Sequence, residues 1–264
     1  MTDFVKLDKH DGIAIATLNS PDTRNTLSSE KEYAAIEAVC HDIQRDKSVR
    51  AAIFTGAGKA FCAGGNIKDM DERAKSGVIP PVEERYAYKE GIHRIPLALH
   101  NLEVPTIAAV NGPAIGAGLD LACMCDMRIA SHKAIFAESF VKIGIIPGDG
   151  GAWLLQRIVG VSKAAEMTFT GDPIDANEAL TCGLVSKVVS PETLLDEALN
   201  LATRIAANPG HQLRMAKRLI REAQTSRLET ILEMSAAFQA LAHSTQEHHA
   251  LIAQAVERIS KKGS

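Results

Sequence analysis

Two glycine-rich segments concentrate the residues that could do chemistry. One is Lys59-Ala60-Phe61-Cys62-Ala63-Gly64-Gly65-Asn66-Ile67-Lys68. The other runs Val110-Asn111-Gly112-Pro113-Ala114-Ile115-Gly116-Ala117-Gly118-Leu119-Asp120-Leu121-Ala122. Small side chains let a ligand approach the backbone closely, and each segment leads into a helix whose first amides lack intrahelical acceptors. Two such N–H groups aimed at one point would stabilise a developing oxyanion. The plainer reading is a pair of ordinary tight turns. Neither segment is a Gly-x-Gly-x-x-Gly fingerprint or a P-loop, so nucleotide binding of those kinds is not supported. Covalent chemistry fares no better: Ser131 and Ser139 sit in no Gly-x-Ser-x-Gly elbow, and Cys62 has no histidine at a recognisable spacing.

The elements that would position these loops follow from periodicity. Alternation over residues 4–18 predicts a hairpin turning at Asp11-Gly12. Ser29 and Glu32 form a capping box ahead of Tyr33, Ile36, Cys40 and Ile43 at helical spacing. The apolar runs 51–55 and 106–110, separated by a helical stretch near 82–100, predict parallel βα units. Residues 76–81 read as a mobile loop. Beyond Pro191 the segments 192–208, 211–224 and 228–259 have helical period and no strand candidate. The expected organisation is an α/β body over 1–190 and a helical region over 191–264.

Composition narrows the function. The chain has 264 residues, 46% of them hydrophobic, enough for a sizeable core, and 29 basic against 32 acidic residues give a net charge of −3. That balance, with few aromatics, argues against nucleic acid as a partner. No apolar run approaches the roughly 20 residues of a spanning helix, and no signal peptide is visible, so membrane association is not expected. Five scattered cysteines, Cys40, Cys62, Cys123, Cys125 and Cys182, suit reduced thiols in a cytoplasm. Cys123 and Cys125 lack a second pair, and His243, His248 and His249 read as a solvated helical face, so no metal site is expected.

Several motifs in register resemble the enoyl-CoA hydratase/isomerase, or crotonase, superfamily. Besides the two loops they include Cys125-Asp126-Met127-Arg128-Ile129-Ala130, Phe136, Gly144-Ile145-Ile146-Pro147-Gly148-Asp149-Gly150-Gly151, Leu155-Gln156-Arg157-Ile158-Val159-Gly160 and Ala179-Leu180-Thr181-Cys182-Gly183-Leu184-Val185. The resemblance spans nearly the whole chain. It implies a spiral of ββα units, a helical C-terminal trimerisation region, and a homotrimer or a hexamer of two trimers. It also implies an acyl-CoA thioester substrate, with coenzyme A as part of the substrate and no other cofactor. The thioester oxygen would be held by the backbone N–H groups of Ala63 and Ala117, and the substrate by the stretch Ala63, Gly64, Gly65, Asn66 and Ile67 together with Phe140. Alanine serves at position 117 if its φ is negative. Arg24 and Lys59 are candidates for CoA phosphate contacts, against the plainer reading that scattered basic residues solvate a surface.

The acid–base set departs from the family pattern. Hydratases of this kind hold one water between two glutamates, whose positions map onto Asp120 and Phe140, and phenylalanine moves no proton. Asp120, three residues after Ala117, tilts back toward the helix N-terminus. It reads either as an acid–base group or as a carboxylate favoured by the helix dipole. Asp149, in a loop before a helix, reads as a catalytic carboxylate or as an N-cap. Glu138, two residues before Phe140, shares its face if that segment is extended, and otherwise reads as a surface or structural carboxylate. The leading function is a hydratase/isomerase-type lyase that stabilises a thioester enolate in fatty-acid or carboxylic-acid degradation. A double-bond isomerase or a retro-Claisen C–C hydrolase using Asp149 is the alternative, and a CoA-thioester-binding homologue without hydratase activity is the non-enzymatic one.

Overall fold

The computed structural model describes residues 3–77 and 79–262. Strands β1 (Val5–His10) and β2 (Ile13–Leu18) form the expected antiparallel hairpin. Asp11 and Gly12 take positive φ, 52° and 76°, as a two-residue hairpin turn with right-handed strand twist requires. Helix α1 (Glu30–Arg45) begins at the capping box, where Ser29 N–H donates to Glu32 Oε2 at 2.7 Å. It crosses over to β3 (Ala51–Gly56), which lies parallel to β2.

Helices α2 (Ile67–Lys75), α3 (Pro81–Glu90) and α4 (Arg94–Asn101) then lead to β4 (Thr106–Val110). The expected single helical stretch near 82–100 is two helices. The break falls at Gly91, whose backbone leaves the helical region at φ −97°, ψ −110°, and a side chain there would come within 2.4 Å of Ala87 O and 3.3 Å of the Tyr33 ring. Val78, within the stretch read as a mobile loop, lies outside the described residues.

The remaining body comprises β5 (Ala114–Ile115), α5 (Ala117–Met124), β6 (Met127–Ser131), β7 (Ile135–Ala137), α6 (Gly151–Val159), α7 (Val161–Thr170), β8 (Ile174–Asp175), α8 (Ala176–Thr181) and β9 (Lys187–Val189). The main sheet runs β1-β2-β3-β4-β6-β9, parallel from β2 onward, and a small sheet joins β5, β7 and β8. In-register pairing sorts side chains by face. Ile13, Ile15, Ile53, Ile107 and Ile129 point to one side of the sheet, and Ala14, Ala16, Ala52, Phe54 and Ala108 to the other.

The isoleucine face is covered by α9 (Leu194–Ala206) through Leu194, Ala198, Ala202 and Ala206. The helical C-terminal region is present, but its first helix completes the body's second core, so position 191 divides strands from helices without dividing cores. Helix α10 (Gly210–Glu222) is tied down by a buried cation: Lys217 Nζ donates to Val104 O at 2.7 Å and pairs with Asp126 at 2.6 Å. Beyond it the expected long helix is two, α11 (Leu228–His243) and α12 (Gln246–Lys262), with Ser244 and Thr245 between them. No described residue of α11 or α12 is buried. Among the described residues no helix is long and apolar enough to cross a membrane.

Candidate active site

The first glycine-rich loop is held by an asparagine beneath it. Asn25, fully buried at φ 58°, donates from Nδ2 to the carbonyls of Ala57 and Ala60 at 3.0 Å and of Phe61 at 3.2 Å. The second loop lies against the first: Ile115 N donates to Cys62 O at 3.0 Å, and a side chain at Gly118 would come within 2.0 Å of that same oxygen. Only glycine allows so close a backbone approach.

Which amides remain free decides where an oxyanion could sit, and here the structure corrects the expectation. Ala63 N–H is already used, donating to Arg24 O at 3.0 Å, because Arg24 turns its carbonyl inward at φ 57°. The next residues lead elsewhere. Gly64, at φ 75°, would bear a side chain 3.3 Å from Ala117 N, so the amide of Gly65, one peptide further on, lies beside Ala117. Neither Gly65 N nor Ala117 N has an acceptor among the described residues. The neighbouring free amides are therefore those of Gly65 and Ala117. Ala117 keeps a negative φ, and the unusual backbone falls on Gly116, at φ 53°.

Of the other residues expected to bind substrate, Asn66 is largely occupied: its side chain caps α2 by accepting from Lys68 N at 3.1 Å, and its own N–H donates to Ser28 Oγ at 2.9 Å. Gly64 O accepts from Leu27 N at 2.8 Å. Ile67 is 57% exposed at the start of α2, while Met70 packs directly over Gly65. Phe140 is buried, its ring 3.5 Å from where a Gly116 side chain would begin, which makes it a wall beside the free amides. Arg24 and Lys59 are exposed and carry no ion pair.

Three carboxyl groups influence one another here. Asp120, one turn into α5, is fully buried and accepts from Gly151 N at 3.0 Å. It therefore caps α6 from across the site as well as sitting in the first turn of its own helix. Its Oδ1 has no partner, nor has either oxygen of Glu138. A side chain at Gly151 would come within 2.2 Å of Asp120 Oδ1 and 2.3 Å of Glu138 Oε1, so the two carboxyls face each other across that glycine. Glu138 is neither on the surface nor in an extended segment. It is fully buried at the start of a 3-10 turn, Ser139–Ile143, which contains Phe140, so the two residues are not neighbours on an extended face.

Asp149 is 7% exposed, and its carboxylate accepts no hydrogen bond. It is not the N-cap of α6, a position taken by Gly150 at φ 109° with no side-chain bond. Its surroundings are phenolic and imidazole groups. Tyr88 packs on Gly148, His93 Nε2 lies 2.8 Å from Gly148 O, and Tyr33 feels the Asp149 charge.

Burial sets the protonation of this trio. Asp149 is pushed up to about 6 by desolvation, with His93 drawing it back. Glu138 is pushed to about 8, chiefly by burial and partly by the Asp149 charge, with the adjacent Asp120 carboxyl opposing the rise. Asp120 rises well above the carboxylate range through burial and then the neighbouring charges of Glu138 and Asp149. Burial likewise pushes the Cys62 thiol to about 12, which removes it as a nucleophile near neutrality. Two neighbouring amides and one unbonded carboxylate that ionises first form a site able to take a proton next to a stabilised oxyanion.

Sequence reasoning missed Tyr33, Tyr88 and His93, and it named Gly65 only as a substrate contact and Glu138 only as a weaker carboxylate candidate. Gly65 had a signal, since a Gly-Gly pair permits the positive φ that hands the free amide to the second glycine. Tyr33, Tyr88 and His93 come from separate elements and had none.

A groove of about 790 Å3 lies elsewhere, bounded by Leu97, His100, Trp153, Arg157, Lys217 and Ile220 among others, and it reaches neither the free amides nor Asp149.

Comparison with known proteins agrees over the whole molecule. Residues 8–260 match the family model for enoyl-CoA hydratase/isomerase. A short-chain-enoyl-CoA hydratase of Clostridium acetobutylicum is 36% identical over 262 residues, covering 98% of this chain and 97% of the relative. A 1,2-epoxyphenylacetyl-CoA isomerase of Escherichia coli is 33% identical over 248 residues, 94% of this chain and 93% of the relative. The crystal structure of an enoyl-CoA hydratase from Bacillus anthracis superposes with a TM-score of 0.88 at 32% identity, covering 97% of this chain and 96% of that one.

Proposed function

This chain belongs to the enoyl-CoA hydratase/isomerase family, and on that premise we propose that it is an enoyl-CoA double-bond isomerase whose base is Asp149. The thioester carbonyl oxygen binds between Gly65 N–H and Ala117 N–H. Those amides lower the cost of removing an α-proton, because the resulting charge is delivered to the oxygen they already face. Asp149 takes that proton from the α-carbon of a 3-enoyl thioester and returns it to the γ-carbon. The double bond thereby shifts into conjugation, and the carboxylate ends as it began.

The observation that carries this reading is the contrast between an unbonded Asp149 and the apolar ring of Phe140. Hydration needs a water held and activated on two sides, whereas a proton shuttle needs one mobile carboxylate. The proposed reaction requires no resident cofactor, since coenzyme A arrives with the substrate. Arg24 and Lys59, exposed and without ion pairs, are the proposed contacts for its phosphates.

Assembly through α11 and α12 into a homotrimer or a dimer of trimers is part of the same reading. Leu228, Leu232, Leu241, Leu251, Ile252, Val256 and Ile259 are all exposed on those helices, an apolar stripe beyond what one surface helix needs. The five free thiols suit a reducing compartment such as the cytoplasm.

The test is steady-state kinetics on a 3-enoyl-CoA and on crotonyl-CoA, in wild type and in the Asp120→Asn and Asp149→Asn variants. Isomerisation outpacing hydration and lost in Asp149→Asn supports the assignment. Fast hydration that survives both substitutions sinks it.

A further inference from the structure

The isomerase reading uses one carboxylate of three, and the other two are buried carboxyls whose hydrogen-bonding capacity is largely unmet. Asp120 Oδ1 and both oxygens of Glu138 are shut away from water without a donor. Glu138 faces Asp120 and Cys123 of α5 and Asp149 of the loop before α6, and no cation bonds any of the three acids. Buried charges of one sign with no counter-ion are not tolerated together. The geometry offers one relief. Asp120 Oδ2 is engaged by Gly151 N–H, so it is an acceptor, and Asp120 Oδ1 and Glu138 Oε1 converge on the same face of Gly151. A proton between those two oxygens gives each a partner and removes a charge.

We propose that Glu138 is a positioning residue that shares a proton with Asp120, so that the pair carries one negative charge instead of two when the thioester enolate forms. A second charge on the pair would add to the repulsion felt by the oxyanion and oppose the stabilisation that the two amides provide. The shared proton also fixes the orientation of Asp120, and through Gly151 N–H the start of the helix that follows Asp149. Glu138 thus acts through Asp120 and does not itself touch the substrate. Its elevated proton affinity, with titration near 8, agrees with retention of this proton at neutral pH.

The kinetic arm rests on the isomerase reading. Activity should fall at low pH as Asp149 is protonated and at high pH as the pair loses its proton. Glu138→Gln supplies a permanent neutral donor in the same shape, so its alkaline limb should move up by about one pH unit or more while the acid limb stays. A purely structural glutamate would lower the rate equally at every pH, and that result, or a profile superimposable on wild type, overturns the proposal.

The second arm needs no turnover. Infrared titration of the free protein should show a protonated-carboxyl band at pH 7 that Asp149→Asn keeps and Glu138→Gln removes. No such band in wild type, or one lost with Asp149, also overturns it. A band with this behaviour in a protein that fails to isomerise would uphold the shared proton and reject only the isomerase reading.

Discussion

Asp120 and Asp149 are the same side chain placed on two sides of one site, and they have opposite fates. Asp120 belongs to a helix in which every residue is buried, and one of its oxygens is fixed by a backbone amide of the next helix. Asp149 belongs to a loop flanked by glycines, with an aromatic wall and no hydrogen bond at all. Burial raises both, but only Asp149 stays close enough to neutrality to exchange a proton readily. On the proposed reading the proton-transfer carboxylate is marked by the bonds it lacks, and the supporting one by those it makes.

The sharpest way to break this contrast is Asp149→Asn. It should reduce isomerisation by roughly 10²–10⁴-fold, the usual contribution of a proton-transfer group, while leaving acyl-CoA affinity intact. Stopped-flow kinetics and calorimetry read the two quantities separately, and loss of affinity would make Asp149 a scaffold for its loop instead.

A gain of function comes next. Phe140→Glu restores a carboxylate opposite the pair and should raise crotonyl-CoA hydration by about tenfold or more. An unchanged hydration rate would show that something besides Phe140 limits that reaction.

Gly151→Ala is expected to have a smaller effect, because its new carbon would press between Asp120 and Glu138. Overpacking of this kind costs about 1–3 kcal/mol, readable by chemical denaturation. A neutral result would mean that the two carboxyls are not held against that glycine.

The mildest effect is on the pH dependence of stability. All three carboxyls bind protons more tightly folded than unfolded, so their contribution is fully present below about pH 4 and is lost as pH rises through 6 and then 8. The melting temperature should therefore decline across that window from this source, and Glu138→Gln should flatten the upper part of the decline.

The sequence made much of the fold legible because the relevant signals are local. The Asp11-Gly12 turn, the Ser29–Glu32 capping box and the paired apolar runs each specify an element without help from elsewhere. The two helix breaks were less visible: Gly91 matters because of the Tyr33 ring packed against it, a contact made across 58 residues. The candidate site was legible to the level of its loops and not of its atoms. Ala63 was expected to present its amide because nothing in its own segment says that this N–H already donates to Arg24 O. Glu138 read as a surface or structural residue because its burial depends on α5 and α6 closing over it.

Gly151 has a consequence for how this chain can diverge. Its missing side chain is the space in which two carboxyls meet, so substitution there is tolerable only if one of them has already shrunk or left. Positions 120, 138 and 151 are thus bound to one another in any lineage descended from this sequence. Relatives that carry a larger residue at 151 should have given up one of the two acids, and with it the need for the shared proton.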